Sequence, residues 1–530
     1  MADGGEWPHV KANETRRWLR AGAGALGGLL SAGAALAVAE FTAAFIRPEA
    51  GPLPAVGGAV IDRTPPAVKD WAVRHFGTDD KLVLQTGILV ILGLIAMGLG
   101  VLSLRLRRTA MVGVFAFGLV GAYAAVHRAG AGLVDTVPSL LGGVLGAAAL
   151  WWSTEPVVRV RAEDRAFDRR AFLITAGALA LGSAVAGTTG RIVTNGRRAS
   201  IAAFRDRIRL PAAAEPAAPL PPGSDLRLPG LSAFTTPNAD FYRVDTALVV
   251  PRVDVENWSL RIHGKGVRTP LRYSYDDLLR RPLIERDLTL TCVSNEVGGP
   301  YTGTARWLGI RLVDLLREAG VRPPSRGGPA DQLVSRSIDG MTIGTPVEVA
   351  MDGRDALLAV GMNGEPLPFE HGYPVRMVVP GLYGYVSACK WLVDLELTTF
   401  AGYDAYWVKR TWAREAPIKT QSRIDTPKPF ARLRVGVPVP IAGVAWAQHR
   451  GVAGVEVSVD GGPWQPARSA EVPGPDTWRQ WVWEWTPTRT GSQRIEVRAT
   501  DATGAVQTDK RVGTVPDGAT GRHSVVVTVA

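Results

Sequence analysis

Two stretches of this chain combine residue types and spacings that bear on chemistry. The first, Leu288-Thr-Leu-Thr-Cys292-Val-Ser-Asn-Glu-Val-Gly-Gly299, alternates like a strand and then delivers one cysteine to a Gly-rich turn. A thiolate there is a soft metal ligand, a nucleophile or half of a disulfide. One other cysteine exists, Cys389, and in an exported domain a bridge between the two stays open on cysteine count alone. The same count excludes zinc-finger, iron–sulfur and CxxCH haem-attachment spacings. The second stretch is Met362-Asn-Gly-Glu-Pro-Leu-Pro-Phe-Glu-His371-Gly-Tyr-Pro-Val-Arg376-Met-Val-Val-Pro-Gly381. Asn363-Gly364 predicts a turn, and the prolines stiffen the residues after it, so His371 and Arg376 sit on defined backbone. A fixed guanidinium suits bidentate capture of a phosphate, and the imidazole adds a donor. The competing reading is a backbone-bonded buried histidine and a structural ion pair.

The elements that must hold these residues can be read from composition and patterning. The chain has 530 residues, 46% hydrophobic and 21% charged, with a net charge of +11 and a mean hydropathy of +0.07. That excludes a disordered chain and implies that part of it lies in lipid. The basic excess has no finger, basic helix or interleaved aromatics, so no nucleic-acid partner is expected; much of it instead flanks apolar segments. Four such segments, about 21–46, 82–104, 110–126 and 133–152, are each near the length of a bilayer span, with Gly and Ala for close helix approach. A fifth, 171–190, is less apolar. Together, residues 1–200 are expected to form a helical membrane module of five spans in contact with the lipid bilayer.

Orientation is set by the basic clusters. Arg16, Arg17 and Arg20 precede the first span, Arg105, Arg107 and Arg108 fill the turn between the second and third, and Arg159, Arg161, Arg165, Arg169 and Arg170 lie before the fifth. They place the N-terminus inside and everything after the fifth span outside, as expected for a multi-pass protein of a bacterial cell membrane. Asp168-Arg169-Arg170-Ala171-Phe172-Leu173 also resembles the twin-arginine export motif. The spans offer no facing pair of histidines: His127 lies at an edge and His75 in the 47–81 loop. No haem is expected in this chain.

Residues 201–232 are Pro/Ala-rich and read as an extended linker. Residues 308–319 predict a short amphipathic helix, with Leu312, Leu315 and Leu316 opposite Arg317 and Glu318. From 420 onward the pattern is all-β. Residues 455–459 alternate before an Asp460-Gly461-Gly462 turn, Trp481, Trp483 and Trp485 share a strand face, and 494–499 alternate again. This predicts an immunoglobulin-like sandwich over 420–530, without a polar cluster and therefore suited to assembly.

Cys292 in its turn, Thr304-Ala-Arg-Trp307-Leu-Gly-Ile-Arg-Leu, the 362–381 stretch and Lys390-Trp391-Leu392 occur in the order seen in the sulfite oxidase family of molybdenum enzymes, which 233–530 resembles. Thr236-Pro-Asn238-Ala-Asp-Phe241-Tyr242-Arg243 is similar to that family's opening pterin-contacting strand. The resemblance implies an α+β molybdopterin domain over 233–415, a dimerisation domain over 420–530 and one molybdenum–molybdopterin per chain. It makes Cys292 the catalytic thiolate on the metal and assigns Asn238, Tyr242, Arg243, His371, Arg376 and Lys390 to the pterin group, with Asp339 and Ser387 matching more loosely. Cys389, beside Lys390, then becomes a reduced structural thiol.

Departures from the animal enzymes bear on substrate. Where those enzymes are similar in carrying Arg-Asn-His, this chain reads Arg243-Val-Asp-Thr246; where they pair arginines after the cysteine, it has Glu296 and Val297; and Met341 stands nearest their active-site tyrosine. An acidic residue at that place disfavours a small dianion. The resemblance therefore implies oxo transfer on a small sulfur compound, in the manner of a sulfite oxidase, at the outer face. The alternatives are reduction of S-oxides of the methionine-sulfoxide type and a receptor or adaptor that keeps the fold without turnover. A separate electron-transfer partner is expected, a cytochrome or membrane redox subunit.

Overall fold

The computed structural model describes residues 7–65, 68, 71, 75–76, 80–128, 131–159 and 168–530. Arg161 and Arg165 of the cluster before the fifth span lie outside the described residues. The chain divides into two compact units, 1–202 with 247–250, and 203–246 with 251–530.

Among the described residues, five helices are long and apolar enough to cross a membrane: Arg17–Ile46, Lys81–Ser103, Arg107–Val126, Leu133–Val158 and Arg169–Arg207. They coincide with the five expected segments. Small residues let backbones touch, as expected. A Cβ on Gly28 would stand 1.9 Å from the Ala96 carbonyl oxygen, and one on Gly100 would stand 2.0 Å from that of Gly24, so any side chain there would force these two helices apart. Ser31 Oγ donates to the Gly146 carbonyl at 2.7 Å, a polar stitch between helices. Two features carried no sequence signal that we read. A further helix, Pro52–Arg63, comes after the first span. The last helix runs on to Arg207, through the first residues of the expected linker, because no proline interrupts it before Pro211. Its start is capped by Asp168, whose Oδ1 accepts from the Ala171 N–H at 2.9 Å.

The second unit holds four sheets. In one, Leu260–Gly264 lies parallel to Leu392–Thr398, and Leu271–Tyr273, Gln332–Ser337 and Thr342–Pro346 complete five strands. In another, the hairpin Ile284–Thr291 and Thr302–Arg311 pairs with Leu357–Met362, onto which Arg376–Val378 also adds. The expected helix over 308–319 is corrected: residues 308–311 finish the strand Thr302–Arg311, and the helix is Leu312–Glu318. Gly309 lies so close to the neighbouring strand that an added Cβ would meet the Leu358 carbonyl at 2.3 Å, so tertiary pairing overrides the helical period. Leu312, Leu315 and Leu316 are buried as expected.

The last two sheets, of four and five strands, span residues 421–529. They enclose one core in which Ile441, Trp481 and Trp485 of the first meet Val457, Val497 and Val527 of the second. The expected face of Trp481, Trp483 and Trp485 packs on this core. The segment 208–232 is extended but fastened to the sheets: Ala214 N–H donates to the Leu283 carbonyl at 2.8 Å, and Glu215 pairs with Arg286 and Arg311.

Candidate functional site

Cys292 sits where the hairpin Ile284–Thr291 and Thr302–Arg311 opens into its loop. The register pairs Thr291 with Thr302 and Thr289 with Thr304, β-branched residues that favour a pleated ladder. Cys292 N–H then donates to the Tyr301 carbonyl at 2.9 Å, its own carbonyl accepts from Asn295 N–H at 3.1 Å, and Asn295 Oδ1 accepts from Tyr301 N–H at 2.8 Å. The loop is thus closed around the thiol by its own hydrogen bonds. Both cysteines are free, so the bridge that cysteine count left open is absent. Burial pushes both thiols up; at Cys292 hydrogen bonds from Ser294 and the nearby Lys390 charge pull in the other direction.

Residues 421–530, expected to carry no polar cluster, brace this hairpin with polar side chains. Gln448 Nε2 donates to the Thr289 carbonyl at 3.1 Å and to Thr291 Oγ1 at 3.0 Å. Trp478 N–H donates to Thr289 Oγ1 at 2.7 Å, and Arg423 Nη1 donates to the Gly299 carbonyl at 2.9 Å. His523 packs against Gly298 so tightly that an added Cβ would lie 2.2 Å from its ring.

A cavity of about 110 Å³ opens beside Cys292 and is also lined by Tyr242, Asp339, Arg376 and Lys390. Five of the residues singled out from sequence therefore converge. Arg376 is buried, with its guanidinium 5.3 Å from the Trp307 ring centroid and one bond, at 3.3 Å, to the His371 carbonyl. Its Nε has no hydrogen-bond partner, and among the described residues no carboxylate pairs with it. Desolvation lowers it to about 10, which leaves it charged at neutral pH. Lys390 is lowered to about 8, again first by burial, and its ammonium is held by Asp245 at 2.9 Å and the Glu370 carbonyl at 3.1 Å.

The other four assigned residues, Asn238, Arg243, His371 and Ser387, do not line this cavity. His371 Nε2 donates to the Asn238 carbonyl at 3.0 Å, and burial lowers its pKa to about 4, so it is a neutral donor at physiological pH. Asn238 is locked to the Asn363 side chain at 2.8 Å. Ser387 gives its hydroxyl to the backbone carbonyls of Leu382 and Tyr383, both at 3.0 Å. Arg243 is half-exposed and paired with Asp245 at 2.8 Å. Sequence reasoning missed Asp245, which joins Arg243 to Lys390, and the aromatic residues Tyr385, Trp407 and Trp412, which also line the cavity. The acid was visible in Arg243-Val-Asp-Thr246. The aromatics carried no signal that separates them from core.

A buried cation with an unsatisfied N–H, in a cavity also lined by a free thiol, has the chemistry to hold an anionic group that takes a sulfur ligand. The family model described as "Oxidoreductase molybdopterin binding domain" matches residues 247–407. The mitochondrial sulfite oxidase of Mus musculus is 34% identical over 289 residues, covering 48% of this chain and 52% of that protein. The sulfite oxidase of Gallus gallus is 32% identical over 320 residues, covering 52% of this chain and 68% of its own length. Nitrate reductase [NADH] 1 of Oryza sativa subsp. japonica is 28% identical over 338 residues, covering 53% of this chain and 36% of its own. Among solved structures, the sulfane dehydrogenase SoxCD from Paracoccus pantotrophus aligns with a TM-score of 0.48 at 25% identity, over 56% of this chain and 84% of that one. This chain belongs to the sulfite oxidase family of molybdopterin oxidoreductases. It spans about half the length of the mammalian relatives it matches.

Proposed function

We propose that this chain is a membrane-anchored molybdenum–molybdopterin oxidoreductase that acts by oxo transfer on a small sulfur compound at the outer face of a bacterial cell membrane. The observation that carries the reading is the convergence of the free Cys292 thiol, the unsatisfied Arg376 guanidinium, Tyr242 and Lys390 on one cavity. When bound, the molybdenum–pterin group supplies a centre that exchanges one oxygen atom and two electrons.

The residues present fit that group. Cys292 would give the metal its protein thiolate, and Arg376 would meet an anionic portion of the pterin with the N–H that nothing else satisfies. Lys390 adds a second cation, oriented by Asp245. His371, held neutral, fixes the 236–243 segment through Asn238 and so orients Tyr242. Asp339 faces the same cavity from its turn, while Ser387 and Arg243 support the walls.

In the oxidative direction water supplies the oxygen, and two electrons and two protons leave for a separate cytochrome or membrane redox subunit. The reverse reaction is a second reading: an S-oxide takes up two electrons and two protons and leaves as the thioether, its oxygen departing as water. It is favoured by the cavity's charge, because its ionisable lining residues other than the thiol and the tyrosines are two acids, Asp245 and Asp339, and two bases, Arg376 and Lys390. The remaining assignments belong to the same proposal: an inside N-terminus, twin-arginine handling of the fifth span, an oxidoreductase domain over 233–415, and an immunoglobulin-like domain over 420–530 that pairs two copies.

The test is molybdenum and pterin content per chain in detergent-purified protein, wild type beside Cys292→Ser. Near-stoichiometric metal and pterin in the wild type, with the metal lost or perturbed in the variant, is expected. Folded wild type from cofactor-competent cells that carries neither would leave the receptor or adaptor reading.

A further inference from the structure

Part of the cavity wall is aromatic. Trp407 and Trp412 stand edge to face with centroids 6.1 Å apart, and Trp412 stacks obliquely on Tyr385 at 5.6 Å. The Tyr385 hydroxyl is spent on the Ala413 carbonyl at 2.8 Å, so the ring presents carbon to the cavity. All three rings line the same space as Cys292. The charged residues that line the same space, Asp245, Asp339, Arg376 and Lys390, do not form an anion trap. Asp245 holds both Lys390 and Arg243, and Asp339 adds a second carboxylate to the lining. Capturing a small dianion requires uncompensated cations in a low-dielectric site. Here the one guanidinium with a spare N–H among the cavity's described lining residues is also the one the proposed cofactor would engage.

We propose that the substrate side of this cavity admits an uncharged sulfur compound carrying an apolar or aromatic substituent, with that substituent lying against Trp407, Trp412 and Tyr385. The inference rests on the reading of Cys292 as the centre of an oxo-transfer site. It names the substrate class: thioethers or their S-oxides in preference to sulfite. Aromatic rings bury large apolar area with little loss of conformational freedom, and stack on a partner ring. They offer nothing to a fully hydrated oxyanion.

The test is calorimetric titration of the full chain in detergent with methyl p-tolyl sulfoxide, dimethyl sulfoxide and sulfite, in parallel for wild type, Trp412→Ala, Trp407→Ala and Trp412→Phe. The aryl sulfoxide is expected to bind most tightly in the wild type. Either alanine variant should weaken it about tenfold, with much smaller change for dimethyl sulfoxide, and Trp412→Phe should restore most of the loss. Tighter binding of sulfite than of the aryl compound, or an equal loss for aryl and methyl compounds in the alanine variants, would overturn the proposal. Metal and pterin content is measured on the same samples. Their absence counts against the molybdenum reading, whereas the titration judges the aromatic wall by itself.

Discussion

Arg376 is the residue at which function and stability pull in opposite directions. A guanidinium buried without a carboxylate among the described residues, and with an unsatisfied Nε, costs the folded chain free energy that a ligand anion can offset. Arg376→Met is therefore expected to raise the melting temperature of cofactor-free protein by several degrees, since a methionine of similar length fills the space over Trp307 without a charge. The same variant should lose most of its pterin. A fall in both quantities would mean that Arg376 holds the fold rather than the ligand. This pairing also explains how much of the site was legible. Cys292 and Arg376 were visible from their turns as candidate ligands with a disulfide and a structural ion pair equally open, and Lys390 was visible only through the family resemblance. Trp407 and Trp412 were silent, because an aromatic residue in a turn-rich stretch reads the same whether it faces a core or a cavity.

The hairpin that carries Cys292 is the element on which the site depends, and its loop was legible only up to its own length. Glycines at 298 and 299 announced a turn. They did not announce what the turn would touch, because the bracing residues Arg423, Gln448, Trp478 and His523 come from strands and loops over a hundred residues later. Gly298 has φ +82°, and a Cβ there would collide with the His523 ring. Gly298→Ala should thus carry both backbone strain and a clash, for a total of roughly 2–4 kcal/mol, and should displace the Cys292 loop. Gly353→Ala is the matched control, with φ +102° and nothing within 4 Å of the new Cβ; it should carry the backbone cost alone, about 1–2 kcal/mol. Chemical denaturation of the two variants, with metal content measured alongside, separates the terms. Equal destabilisation would show that the ring yields and that the brace is loose. The same dependence on distant partners accounts for the 308–319 segment. Its leucine spacing fits a helix throughout, yet pairing with Leu357–Met362 claims its first four residues for a strand.

Across the whole molecule, hydropathy and alternation sufficed for the coarse architecture. Five apolar runs became five helices, and alternating runs after 420 became two sheets around one core, because burial periodicity is a local property of the chain. How residues 421–530 fasten to the cysteine hairpin is a long-range property, and it predicts how the second unit responds to acid. Two imidazoles are held neutral within it by burial: His371 near the cavity and His523 at the brace, each lowered from 6.5 to about 4, with Arg376 and Arg423 respectively adding repulsion. The unfolded chain binds protons at both positions between pH 6.5 and 4 while the folded chain does not, so stability rises with pH through that window. The contribution is complete above about pH 6.5 and is lost as pH falls towards 4. Glu215, clasped by Arg311 and Arg286 and lowered from 4.5 to about 2, extends the same direction to lower pH, although its exposure makes its share small. Thermal melts between about pH 7 and 4 should therefore show a steady fall in the transition of the second unit, and His523→Asn should flatten the part of that slope due to the brace. Since His523 lies against the loop of Cys292, wild-type protein at about pH 5 should also release pterin faster than the His523→Asn variant does, relative to each at about pH 7. Identical pH slopes in the two proteins would place the acid sensitivity elsewhere in the unit and would detach the brace from cofactor retention.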